Sequence, residues 1–329
     1  MKVIFFGTPE FAVATLRMLV HEQYHVVAVV TQPDRPKGRK RILTPSPVKV
    51  EALSHQILVL QPEKIKDRSA LDEMTQLEPD LIITVAYGQI LPKQLLDLPR
   101  YGCINVHASL LPKYRGGAPI HYAVMRGDQV TGITIMNMAV GMDTGDILTQ
   151  CQVPITDRDT TGSMFEKLQI AGAELLKATL PLLLSAQIVP IPQHHDEAIY
   201  APTITRKDEY MDWSRTATEL HLQIRGLCPF PGAYTTWQGE TMKVWESVRL
   251  PESTIATTQR SMSSQTVPTY IAPGTVIAFN DQGIDVLTGE GVLRLTVVQP
   301  SGKKSMPVAE FLRGNQITIG AQFGAMDYA

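Results

Sequence analysis

The first half of this chain alternates between two kinds of segment, and that alternation limits its fold more than any other feature. Residues 3–6, 26–30, 81–86 and 103–107 form short, largely apolar runs rich in β-branched side chains. Helical patterns lie between them. One begins at Pro9, a residue favoured at the first helical position, and places Phe11, Leu16, Leu19 and Val20 on one face; others lie around 48–54 and 69–76. A strand with one wet face alternates apolar and polar residues, so strands that are apolar throughout are covered on both faces. Separated by helices, they predict an α/β fold around a mostly parallel sheet. Further strands at 131–138 and 146–155 lie too close in sequence for a parallel crossover and predict an antiparallel pair joined by the turn at 141–145. A helix over 160–184 with a mostly apolar face completes a domain spanning 1–185.

Residues 186–207, with Pro190, Pro192, Pro202 and the polar group His194-His195-Asp196-Glu197, show little periodicity and read as a linker. Beyond it a helix near 216–225 precedes strand-like runs at 233–237, 242–248, 275–279, 283–287 and 292–298. Five short strands with glycine and polar turns predict a small β-barrel of the open, OB-like kind over 208–329, with the Ser/Thr/Gln-rich stretch 251–268 as a surface loop. A length of 329 residues suits two such domains. The three cysteines are widely spaced and no CxxC occurs, which excludes a disulfide framework or cysteine-rich zinc module and fits a reduced, cytoplasmic compartment. The N-terminal apolar run is shorter than a signal-peptide core, and even 171–186 is broken by Glu174, Lys177 and Pro181, so no membrane span is expected. With 30 Lys plus Arg against 32 Asp plus Glu, the chain is neither a uniformly basic coat nor an acidic disordered one, though a local basic patch is allowed.

The run Cys103-Ile104-Asn105-Val106-His107-Ala108-Ser109 is where chemistry first suggests itself. Alternate strand residues share a face, so Cys103, Asn105, His107 and Ser109 point one way, and ligands of open α/β sheets bind beyond the carboxyl ends of the strands. An amide donor beside an imidazole suits oxyanion stabilisation with proton movement; equally, these polar residues could simply bond to loops. Cys103 lies inside the strand, with nothing nearby to mark it as a thiolate nucleophile. Ser109-Leu110-Leu111-Pro112-Lys113-Tyr114-Arg115-Gly116-Gly117 describes a constrained loop whose apolar residues suit either a flat aromatic ligand or the core. In the turn Gly141-Met142-Asp143-Thr144-Gly145-Asp146, Asp143 either faces the same cleft as His107 or merely caps the turn. A single Asp-Thr-Gly cannot make an aspartic protease, which needs two carboxylates sharing a proton. Neither GxGxxG nor GxxxxGK[ST] occurs, which argues against a nicotinamide dinucleotide or a phosphate loop. Adjacent residues such as His194–Glu197 lack the spacing of known zinc sites. Residues 34–49 hold six basic residues against one acidic, net +5 in a chain of −2, with prolines at 33, 36, 45 and 47. This reads as a mobile basic loop at the cleft edge of the sheet, fit for a phosphate backbone or simply solvated.

Taken together these stretches resemble the methionyl-tRNA formyltransferase family, along nearly the whole chain. The likeness rests on Val3-Ile4-Phe5-Phe6-Gly7-Thr8-Pro9-Glu10-Phe11-Ala12, on Asn105-Val106-His107-Ala108-Ser109-Leu110-Leu111-Pro112 and on the Asp143 turn, a core shared with other 10-formyltetrahydrofolate enzymes. The narrower match lies in the basic loop, in Ile224-Arg225-Gly226-Leu227-Cys228-Pro229-Phe230-Pro231-Gly232-Ala233, and in Gly302-Lys303-Lys304-Ser305-Met306 with Phe311-Leu312-Arg313-Gly314. The resemblance implies a Rossmann-like formyltransferase sheet, and transfer of the formyl group of 10-formyltetrahydrofolate to the α-amino group of methionine on initiator tRNA. It assigns the chemistry to Asn105, His107 and Asp143: protonated His107 and the Asn105 amide stabilise a tetrahedral oxyanion, while Asp143 orients His107 and positions a water. It assigns folate binding to Ser109, Leu110, Leu111 and Pro112, with the pterin against the backbone around 85–91. It assigns the tRNA acceptor end to Lys37, Arg39, Lys40 and Arg41, and the tRNA flank to the C-terminal barrel. It implies no metal and no covalent intermediate, and a cytoplasmic enzyme, expected to be a monomer. One point fits poorly: from Arg206 onward there are 11 basic and 12 acidic residues, so a tRNA-binding barrel must gather its basic residues on one face. Three alternatives have distinct signatures. A formyltransferase on a small amine such as a sugar nucleotide would not need the basic loop. A formyltetrahydrofolate hydrolase would release formate without an amine. A non-catalytic RNA-binding module would be indifferent to Asn105→Ala and His107→Ala.

Overall fold

In the computed structural model, residues 1–38, 40–251 and 271–324 are described. They fall into two compact units: unit 1 holds Met1–Ile120, Gln129–Ile155 and Ser163–Pro202, and unit 2 holds His121–Asp128, Thr156–Gly162 and the residues from Thr203 on.

The strands of unit 1 are β1 (Lys2–Gly7), β2 (His25–Val30), β3 (Arg35–Lys37), β4 (Ile42–Thr44), β5 (Leu58–Leu60), β6 (Leu81–Val85), β7 (Cys103–His107), β8 (Val130–Asn137) and β9 (Ile147–Pro154). Seven of them form one sheet in the order β5-β2-β1-β6-β7-β8-β9. The first five in that order run parallel; β8 and then β9 are antiparallel additions. The apolar runs are central strands, and every residue of β6 is buried. Around them lie α1 (Glu10–His21), α2 (Pro47–Ser54), α3 (Arg68–Gln76) and α4 (Lys93–Leu96), with α6 (Thr161–Leu184) later in the chain, while α5 (Pro119–Met125) has most of its residues in unit 2. Pro9 stands at the N-cap of α1, and Ser46 caps α2 by accepting from the Lys49 N–H, with Pro47 opening the helix. Chain connections leave β1 toward β2 on one side and β6 on the other, so the switch point lies beyond Gly7 and Val85. A polar network occupies it: the Thr8 hydroxyl and the Gln32 Nε2 both donate to the Tyr87 carbonyl, at 3.0 and 3.2 Å.

Two features differ from expectation. The basic segment after β2 is not featureless: β3 and β4 pair as a separate two-stranded sheet. Residues 186–202, read as linker, are anchored within unit 1. Ile191 exchanges both backbone hydrogen bonds with Ile147, the Arg115 N–H donates to the Ile199 carbonyl, and the Ala201 N–H donates to the Arg115 carbonyl. These anchors use backbone groups, which composition does not reveal.

Unit 2 contains α7 (Arg206–Glu209), α8 (Ala217–Leu227), β10 (Ala233–Trp237), β11 (Glu240–Leu250), β12 (Val276–Asn280), β13 (Gly283–Leu287), β14 (Val292–Pro300), β15 (Met306–Pro307) and α9 (Val308–Gly314). The sheet runs β10-β11-β14-β13-β12, with β15 on β14, antiparallel throughout, as in a small barrel. A capping box of Thr216 and Glu219 starts α8, which sends Leu220, Ile224 and Leu227 into a core with Val244, Leu293 and Phe311. Residues 252–268 of the expected surface loop lie outside the described residues. Among the described residues no helix is long and apolar enough to cross a membrane.

Candidate active site

Strand β7 is hydrogen-bonded on both sides, which fixes what its side chains face. Asn105 lies beside Thr84 of β6 and Met136 of β8, and His107 lies opposite Thr134. Cys103, at the other end of the same face, is buried and its Sγ donates to the Leu95 carbonyl at 3.3 Å. Burial pushes its thiol up to about 12, so it supplies no thiolate at neutral pH. Asn105 is half-buried and His107 only 6% exposed.

The His107 Nε2 lies 3.0 Å from the Tyr114 carbonyl oxygen. A carbonyl only accepts, so Nε2 carries the proton of this bond. The other nitrogen, Nδ1, is 3.7 Å from Asp143 Oδ2. At that separation no direct hydrogen bond forms, and Nδ1 remains open to a third partner under the field of the carboxylate. The same Oδ2 accepts from the Gly116 N–H at 2.8 Å. Gly116 needs to be glycine twice over: its φ is +119°, and a Cβ would stand 2.7 Å from the Ala201 carbonyl oxygen.

Strand β8 ends at Asn137, opposite Ile104, three residues back from His107. The Asp143 turn therefore folds back about 10 Å along β7 to reach the imidazole. It is held there by Gln193, whose Nε2 donates to the carbonyls of Asp143 and Gly145 at 2.9 and 2.7 Å.

Of the loop after β7, Ser109 is fully buried and donates to the Lys113 carbonyl at 2.6 Å. Leu111 takes the core alternative, buried with Met136 and Ile147, whereas Leu110 and Pro112 are half-buried. Thr134 organises this loop. Its hydroxyl donates to the Ser109 carbonyl at 2.6 Å and accepts from the Leu111 N–H at 3.1 Å. Gln150 Nε2 adds bonds to that hydroxyl and to the Leu111 carbonyl. Sequence reading singled out neither Thr134 nor Gln150; drawing the β7–β8 register would have found Thr134 opposite His107.

Lys37 ends β3, Lys40 and Arg41 are exposed, and Arg39 lies outside the described residues. Two other cations of the segment are paired within unit 1, Lys49 with Asp34 and Arg35 with Glu63, each at 2.7 Å. His195, in the polar group read as part of a linker, accepts from Arg115 Nη2 at 3.1 Å. Among the described residues no group of three or more His, Cys, Asp or Glu is placed to hold a metal.

Residues 1–180 match the formyl transferase family, and residues 203–316 match the formyl transferase C-terminal domain. The methionyl-tRNA formyltransferase of Halalkalibacterium halodurans is 52% identical over 330 residues, 99% of each chain. This chain belongs to the methionyl-tRNA formyltransferase family. The methionyl-tRNA formyltransferase of Bacillus subtilis is 50% identical over 324 residues, 98% of each chain. In fold, the N-formyltransferase of Helicobacter canadensis, solved with folinic acid and dTDP-3-aminofucose, matches with a TM-score of 0.66 at 18% identity, over 91% of this chain and 99% of that one. As a member of the methionyl-tRNA formyltransferase family, the chain is a formyl-transferring enzyme. Strand β7 carries the Asn105 amide and the His107 imidazole, and the turn after β8 brings the Asp143 carboxylate to 3.7 Å from the His107 Nδ1.

Proposed function

We infer that the chain transfers the formyl group of 10-formyltetrahydrofolate to the α-amino group of methionine on initiator tRNA, with Asn105, His107 and Asp143 as the catalytic group. The observation that carries this reading is His107, seated between the Tyr114 carbonyl and the Asp143 carboxylate, two residues beyond Asn105 on the same strand face. The amine nitrogen bonds to the formyl carbon, and the carbonyl oxygen becomes an oxyanion that Asn105 Nδ2 and, from Nδ1, the protonated form of His107 receive as hydrogen-bond donors, the Nε2–H staying on the Tyr114 carbonyl. Collapse breaks the bond to the folate nitrogen, which takes up the proton that the amine releases. Asp143 orients the imidazole and holds the water or proton between them.

The folate is a substrate here, and the residues present fit a flat ring with a polar edge. Half-buried Leu110 and Pro112 offer apolar surface on a loop fixed by Ser109, Leu111 and Thr134. The exposed turn at Ala86 and Gly88, with φ of 47° and 93°, offers backbone at the switch point. For the acceptor, exposed Lys40 and Arg41 support phosphate contact, together with Lys37 and Arg39. The cysteines, all free thiols, are compatible with work in the cytoplasm.

The test is transfer of labelled formyl from 10-formyltetrahydrofolate, with Met-tRNA, uncharged tRNA or no acceptor. Label on Met-tRNA alone is expected, lost by at least about 100-fold in His107→Ala while the variant still folds and binds folate. Formate release without tRNA, and no label on Met-tRNA, would overturn the acceptor. Near-normal turnover of His107→Ala would overturn the site.

A further inference from the structure

The stretch 186–202 carries a residue that the chemistry above does not use. Gln193 is 6% exposed, and its amide lies between two groups that dictate its orientation. Its Nε2 donates to the carbonyls of Asp143 and Gly145. Its Oε1 accepts from both Nε and Nη2 of Arg115, at 3.1 and 2.7 Å. Carbonyls only accept and a guanidinium only donates, so the amide has one workable orientation; flipped, it would set N–H against N–H and oxygen against oxygen. Arg115 is itself 2% exposed, and its side chain's other partner is His195 Nδ1. Among the described residues this buried cation is thus held by an amide oxygen and an imidazole nitrogen and pairs with no carboxylate, so without Oε1 it would be left short of partners. Each of the pair fixes the other.

The carbonyls that Gln193 holds belong to the turn that presents the carboxylate. Asp143 has φ +51°, in the left-handed region, which costs an Asp less than most non-glycine residues but still favours a turn whose backbone is held by partners. The residues on either side of Arg115 complete the arrangement. Tyr114 gives its carbonyl to His107, and Gly116 gives its N–H to Asp143. One tripeptide therefore ties His107, Gln193 and Asp143 together.

We propose that Gln193 is a positioning residue for Asp143, its two N–H donors holding the turn with the carboxylate toward His107, and Arg115 locking its amide. This rests on the reading of Asp143 as part of the catalytic group. The discriminating variant is Gln193→Glu, which keeps the size of the amide and a partner for Arg115 but donates nothing to the two carbonyls. For the full chain, kcat, the KM for 10-formyltetrahydrofolate and for Met-tRNA, and the thermal midpoint are measured in wild type, Gln193→Glu, Asp143→Asn and the double variant. Gln193→Glu is expected to melt cooperatively, to leave both KM values within about twofold, and to lower kcat about tenfold or more. In the Asp143→Asn background the same change should alter kcat by less than about twofold, because the group it positions is already lost. An equal loss in both backgrounds, or raised KM with kcat intact, would overturn the proposal. Should Gln193→Glu fail to fold, Arg115→Lys, which keeps the charge but not the paired N–H donors, takes its place in the same cycle with the same two readings. Normal turnover in Asp143→Asn would bring down the catalytic reading and this proposal together. A full loss there with none from Gln193→Glu would bring down this one alone.

Discussion

At the scale of single residues, strand geometry separates the polar groups available for chemistry from those spent on structure. Cys103 and His107 share a face of β7, yet the cysteine is sealed against α4, with its proton on the Leu95 carbonyl. Cys103→Ala is therefore expected to keep full turnover and to lose about 1 kcal/mol of stability, read as a lowered denaturant midpoint; lost turnover would give the thiol a role in the reaction. That Asn105 and His107 share one side of a strand near its end was legible in the sequence from period-two alternation. The dual reading of Leu110 and Leu111 was not resolvable there, because which of two adjacent leucines enters the core depends on Met136 and Ile147, both on other strands. Gly116 was legible only as part of a constrained loop, and Gln193 left no local signal. One works through a backbone N–H, the other reaches Asp143 from fifty residues away, and neither contact leaves a periodicity to read.

Elements were legible in proportion to their length. The long, buried strands of unit 1 and the capped helices α2 and α8 follow from patterns that composition and spacing display. Strand β5, helix α4 and strand β15 span two to four residues, about one period of a strand or helix pattern and too little to show a repeat, so nothing in the sequence marks them. The β3–β4 hairpin was hidden by Pro36 and its charges, which read as loop. A pH response belongs to this scale, at the packing of α8 on β11. His221 of α8 pairs with the Ser247 hydroxyl of β11 at 3.0 Å. Burial, reinforced by Arg225 and Arg249, pushes its imidazole down to about 4. The unfolded chain, with an ordinary histidine near 6.5, then binds a proton that the folded chain refuses, so stability falls as pH drops from about 6.5 toward 4. Allowing for the solvent screening of a partly exposed ring, this contributes about 1 kcal/mol of loss between pH 7 and pH 5. His221→Gln, which keeps a partner for Ser247, should remove that part of the loss in denaturant melts at the two pH values. An unchanged difference would assign the pH dependence to other groups.

For the whole molecule, charge is the property that separates acceptor binding from chemistry. The chain carries a net −2, and the residues from Arg206 on are no more basic than acidic, so a general positive field cannot draw in a polyanion. Attraction has to be local, and in the segment after β2 two of the six cations are already paired to Asp34 and Glu63. Replacing exposed Lys40 and Arg41 together with Ala should weaken Met-tRNA binding and lower the slope of log K against log salt by about 1 to 2, leaving folate affinity unchanged. An unaltered slope would move the phosphate contacts to other cations, and an equal loss of folate binding would make the segment structural. Among the described residues the strands of the hairpin carrying these charges pair with each other, as a two-stranded sheet apart from the strands that set Asn105 and His107. A lineage could therefore lengthen, shorten or recharge that hairpin without shifting one rung of β7, so that on the proposed reading the acceptor contacts and the reacting groups are free to evolve on separate schedules.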